Sequence, residues 1–88
     1  MKPCAALVFP NVSSSQWACV QKKAAAHGYP MESDSGSMAG QGFTVSWLYD
    51  SKAHTLTFIC VQRPNWASCA TVNGAIHDFI ERTECLPS

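Results

Sequence analysis

Gly42-Phe43-Thr44-Val45-Ser46-Trp47-Leu48-Tyr49-Asp50, followed after Ser51, Lys52, Ala53 and His54 by Thr55-Leu56-Thr57-Phe58-Ile59-Cys60-Val61-Gln62, decides the fold. Odd positions Phe43, Val45, Trp47 and Tyr49 share one face, and even positions Leu56, Phe58 and Cys60 on the return strand meet them. Period-two alternation rich in β-branched and aromatic residues is the pattern of a half-buried antiparallel hairpin. The hairpin is expected over 43–50 and 55–62, with Asp50 opening its turn by bonding local backbone. A two-stranded ribbon is only marginally stable, so a third strand is expected. Tyr29–Ser33 is favoured because it lies close in sequence, and Ala5–Phe9 is the other source.

Helices flank this ribbon. Ser13 is placed to cap a helix, Gln16 to close a capping box, and Val12 with Trp17 to form a hydrophobic staple. Lys22, Lys23 and His27 sit where cations complement the helix dipole, and Gly28 supplies a left-handed stop. A helix over 13–27 follows, with a thin buried stripe of Trp17, Val20 and Ala24. Between it and the hairpin, Asp34-Ser35-Gly36 reads as a turn, and Gly40 and Gly42 as flexible spacers. Beyond Arg63-Pro64-Asn65, Ser68 caps a second helix over 68–82, whose Cys69, Val72, Ile76, Phe79 and Ile80 recur at helical spacing. Gly74 on its flank reads as a site of close packing. The fold class is α+β, in the order α-(β)-β-β-α, a sheet of two or three antiparallel strands under two helices. Residues 1–88 form a single domain, with 1–11 and 83–88 expected to be flexible.

The helix-covered face carries Phe43, Val45, Trp47, Leu56 and Phe58. The other face mixes Thr44, Ser46, Thr55 and Thr57 with Leu48, Ile59 and Val61, the composition of a solvated face or a partner surface. Charged residues are only 14% of the 88 and the formal net charge is zero. No electrostatic footprint for nucleic acid is present, and low net charge favours self-association or a protein partner. No apolar run reaches the roughly 18 residues that span a bilayer. The opening apolar stretch is too short for a secretory leader, so a cytoplasmic location is expected if the N-terminus is native. Five cysteines, an odd number without a Cys-x-x-Cys pair, read as buried free thiols rather than a disulfide framework. Cys4 and Cys85, both terminal, are the pair expected to join on oxidation.

The Asp34-Ser35-Gly36 turn, the Gly42–Asp50 strand, Thr55-Leu56-Thr57-Phe58, Arg63-Pro64 and the Cys69–Ile76 segment together resemble a family of small uncharacterised bacterial proteins. Their pattern is G-x-W-x-Y-D in a hairpin, then a proline and a cysteine-led helix. Trp47-x-Tyr49-Asp50 is the most distinctive part of the likeness, which covers about the last two-thirds of the chain. The resemblance implies a small bacterial α+β protein with no known activity and no catalytic residue to carry over. Asn65-Trp66 stands where that family has an aromatic pair.

Cys69 is the foremost candidate for reactivity, because a thiol in a helix's first turn faces unpaired N–H groups and the positive dipole end. His54 is its possible base; His77, two turns along the helix, reaches it poorly. The simpler reading makes Cys69 the start of the buried stripe. No cofactor motif appears: Gly36, Gly40 and Gly42 lack the lysine and following helix of a phosphate loop. His27, His54 and His77 are too widely spaced to suggest a metal site, and His77 with Glu81 reads as a solvated helix pair. Trp66 reads either as an exposed binding anchor or as a lid on the core. The function expected is a non-enzymatic protein-protein interaction module using Trp66, Ile59, Val61 and Leu48, with thiol-dependent chemistry or redox sensing at Cys69 as the alternative.

Overall fold

The computed structural model describes residues 4–40 and 42–86. Its elements are β1 (Leu7–Phe9), α1 (Ser14–Ala26), β2 (Ser35–Gly40), β3 (Phe43–Asp50), β4 (Thr55–Gln62) and α2 (Cys69–Arg82). The strands form one antiparallel sheet in the order β1-β4-β3-β2. The α+β class and the central hairpin stand as expected, but the sheet has four strands rather than two or three. Tyr29–Ser33 is not one of them. The added strands are Leu7–Phe9, paired with β4, and Ser35–Gly40, paired with β3.

The central hairpin buries the flank its alternation assigns. Trp47, Tyr49, Leu56, Phe58 and Cys60 are buried, and Leu56 is fully so. Asp50 Oδ1 accepts from the N–H groups of Lys52 and Ala53 at 3.0 and 3.1 Å, closing the turn locally. In α1 the capping box is complete: Gln16 N–H donates to Ser13 Oγ, and Ser13 N–H donates to Gln16 Oε1. Trp17, Val20 and Ala24 are its buried residues, and Trp17 stacks on Tyr49 at 5.4 Å between ring centroids. The polar ends of the buried Trp17, Trp47 and Tyr49 are all satisfied, which removes the cost of burying them. Tyr49 Oη donates to the Val12 carbonyl at 2.7 Å, Trp17 Nε1 to Asp34 Oδ1 at 2.9 Å, and Trp47 Nε1 to the Ser33 carbonyl at 2.9 Å.

Two bonds explain why Tyr29–Ser33 is not a strand. Its backbone is spent holding α1 to the sheet: Met31 C=O accepts from Gln21 Nε2 at 2.7 Å, and Ser33 C=O takes the Trp47 indole. Pairing with β3 begins one step later. Gly36 lies directly opposite Trp47 in that ladder, and a Cβ there would fall 2.7 Å from Trp47 Cζ2. Gly36 is therefore a close-approach residue rather than a flexible turn.

The described residues near both ends are tied into the fold. Cys4 bonds Cys69 and Cys19 bonds Cys85, with Cα–Cα separations of 5.4 and 5.7 Å, inside the range a disulfide accepts. Cys60 alone is free, and it is buried. The reading of the cysteines as free thiols thus holds for Cys60 and fails for the other four, and the expected Cys4–Cys85 pairing does not form. Leu7–Phe9 is part of the sheet, and Thr83 is buried with its hydroxyl on the Ile80 carbonyl at 2.6 Å. The expected flexibility of 1–3 and 87–88 lies outside the described residues.

Gly74 does not mark close packing, since nothing lies within 4 Å of where its Cβ would stand. Its place is mid-helix and exposed. Gly74→Ala is expected to stabilise the domain by about 1 kcal/mol through helix propensity alone. A rise in Tm of a few degrees in a calorimetric scan checks this; a fall would reveal a packing role.

Candidate functional site: an apolar groove

α2 lies along β4, and α1 crosses the end of the sheet that carries Trp47 and Tyr49. Neither helix covers the β2–β3 half of that face near Phe43, Val45 and Met38, which are left half-buried. The uncovered wedge is a groove of about 500 Å³. One wall is the inner face of β2 and β3, with Met38, Gly40, Phe43 and Val45. The other is α2, where Ala75 and Thr71 are too small to close the gap that Ile76 and Phe79 line more deeply. Among the described residues no charged side chain lines it, and the polar side chains are confined to Tyr29, Thr71 and Trp66.

Aromatic residues stand at its ends. Trp66 is 78% exposed, the most exposed large hydrophobic residue described, and its ring meets Phe43 edge-on at 5.7 Å. The loop beneath it is fixed by Arg63 Nη1 donating to the Ala67 carbonyl at 2.6 Å and by Ala67 N–H donating to Pro64 C=O. Tyr29, 54% exposed, meets Phe79 edge-on at 6.1 Å. Trp66 is thus an exposed aromatic at a groove mouth and does not lid the core.

The other residues expected to bind lie elsewhere. Leu48 and Val61 are exposed and Ile59 is half-buried, all on the opposite face of the sheet. With Val8 they dot a surface otherwise built of Ser and Thr. No helix covers that face among the described residues, but it presents separated aliphatics rather than a cavity. Trp66 and this trio therefore do not form one surface.

The structure does not bring the residues of the thiol reading together. Cys69 Sγ is bonded to Cys4 Sγ, so the free thiol expected there is absent from the oxidised protein. His54 sits exposed in the β3–β4 turn with φ 52°, its carbonyl accepting from Val12 N–H at 2.8 Å. Cys69 follows the far end of β4, and an eight-residue strand spans roughly 25 Å. His77 Nε2 stands 3.3 Å from Glu81 Oε1, and its ring stacks on Phe9 at 5.9 Å. His77, Asp78 and Glu81 make an exposed trio on α2, a solvated helix face.

The groove residues missed in the sequence are Tyr29, Met31, Met38, Ala39, Thr71 and Ala75. Met38, the only large side chain in Ser35–Gly40, was the available signal. Among the described residues no helix is long and apolar enough to cross a membrane. Comparison with family models, curated proteins and solved structures finds no match.

Proposed function

We propose that the protein is a non-enzymatic binding module whose α2–sheet groove receives an apolar ligand group. The groove itself carries this reading. Ligand sites are typically concave, about 300–1,000 Å³ and largely apolar, and this one has a charge-free lining with an exposed tryptophan at its mouth. A domain this small gains stability by closing such a gap, so an open one is costly without an occupant. The sheet's outer face, with Leu48, Ile59 and Val61, is the lesser surface because it has no concavity to exclude water.

The two disulfides support an oxidising compartment as the place of work, since cytosolic thiols are kept reduced. We propose such a compartment in place of the cytoplasmic location expected from the sequence. Small domains with limited cores commonly rely on such bonds.

The test uses an environment-sensitive apolar dye, 1-anilinonaphthalene-8-sulfonate, with the oxidised native protein. Saturable fluorescence enhancement is expected, and Ala75→Trp should abolish it, because the indole fills the groove from an exposed position. No enhancement, or equal enhancement in the variant with unchanged circular dichroism, would remove the reading.

A further inference from the structure

The groove opens beside a strand edge that is itself unpaired. β2 ends the sheet, and its six residues, Ser-Gly-Ser-Met-Ala-Gly, carry no charge and no proline. Natural edge strands are usually blunted by lysine, proline, shortness or cover. The opposite edge follows that rule: β1 has three residues, Pro10 comes next, and Asn73 Nδ2 caps the Ala5 carbonyl at 3.2 Å. β2 is left open.

Its free groups can be assigned. Tyr49 N–H donates to the Asp34 carbonyl at 2.6 Å, so that pair is a bonded one. Bonded pairs alternate along an antiparallel ladder. Gly36, Met38 and Gly40 therefore bond β3, while Ser35, Ser37 and Ala39 turn N–H and C=O to the free edge. Met38 and Gly40 face the groove.

We propose that β2 is a docking edge for an extended segment of a partner protein, which adds as a fifth antiparallel strand. The backbone of that segment bonds Ser35, Ser37 and Ala39, and its apolar side chains at i and i+2 enter the groove opposite Met38 and Gly40. Strand addition draws affinity from main-chain bonds and specificity from pockets taking alternate side chains. Charge complementarity sets the chemistry of the partner. Among the described residues neither the groove lining nor β2 carries a charge, so the fitting segment has uncharged apolar residues alternating with hydroxyl residues that continue the Ser/Thr outer face. A second copy fits poorly, because β2 pairing with itself would turn only Gly36, Met38 and Gly40 inward, which cannot fill the groove. This rests on the groove being a ligand site.

The probe is the peptide acetyl-Thr-Phe-Thr-Leu-Thr-amide, titrated into oxidised protein and followed by amide NMR. Binding is expected, with the amide protons of Ser35, Ser37 and Ala39 moving downfield. A peptide N-methylated at the central Thr should bind at least about tenfold more weakly, a loss corresponding to a hydrogen bond or slightly more. Ser37→Pro should weaken the parent peptide similarly, since it deletes an outward N–H and no ladder bond. The methylated peptide keeps the test open should that variant misfold. Equal affinity of the two peptides, or dye binding without peptide binding, overturns strand addition while the groove reading stands. A dimer by sedimentation equilibrium that Ser37→Pro dissolves also overturns it, in favour of a second copy. If neither dye nor peptide binds, both readings fall.

Discussion

Replacing either cysteine pair by serine is expected to lower the melting temperature by about 15–30 °C, and reducing both bonds to leave little folded protein at 37 °C. The size follows from the loops. Cys4–Cys69 and Cys19–Cys85 close separations of 65 and 66 residues, and chain-entropy estimates for such loops give about 4 kcal/mol each. A domain of this size has a total stability of order 5–15 kcal/mol. Each bond also ties a helix to a segment distant in sequence. The first pins the start of α2 to the chain entering β1, and the second pins α1 to the segment after α2. Circular dichroism melts of the oxidised protein, the Cys4→Ser/Cys69→Ser pair and the Cys19→Ser/Cys85→Ser pair give the comparison. Melting points within a few degrees of one another would mean that the cysteines are not bonded, or that the bonds constrain nothing. Cys60 should resist alkylation until the protein is denatured, since it is buried.

Gly36→Val is the second large effect, an expected loss of about 2–3 kcal/mol with a fall in Tm of about 10–20 °C. The Cβ would lie 2.7 Å from Trp47 Cζ2 and 2.9 Å from Cη2. The indole cannot slide aside cheaply, because its Nε1 is held by the Ser33 carbonyl and its ring is buried. Either the hydrogen bond breaks or β2 lifts from β3. Gly40→Val is the matched control: it lies on the same strand, nothing stands within 4 Å of its Cβ position, and strand propensity favours valine. Its effect should stay within about 1 kcal/mol. Equal losses at the two positions would show that the strand tolerates no side chain, rather than that Trp47 excludes one.

The parts of the fold legible in the sequence were those whose cause is local. Ser13 and Gln16 cap α1 with atoms three residues apart, Asp50 bonds the next two N–H groups, and the alternation of β3 and β4 reports burial directly. β2 is illegible because Ser-Gly-Ser-Met-Ala-Gly has the composition of a turn; it is a strand through its ladder with β3, and its Gly36 is explained only by Trp47 opposite. The cysteine pairs were hidden for the same reason. Cys19 looks like a mid-helix residue, and only tertiary placement shows that its flank faces Cys85. Cys60, whose burial is set by strand parity, was read as it stands. The groove is a gap between three elements, so no single segment encodes it. Trp66 is legible as an anchor, but nothing local in the sequence tells that the sheet separates it from Leu48, Ile59 and Val61.

Methyl NMR of the oxidised protein, titrated with 1-anilinonaphthalene-8-sulfonate, separates the two faces in one experiment. The expected result is saturable shifts of the Met31, Met38 and Ile76 methyls, with Leu48, Val61 and Val8 unmoved. Shifts confined to Leu48, Val61 and Val8 would place binding on the outer sheet face and contradict the groove.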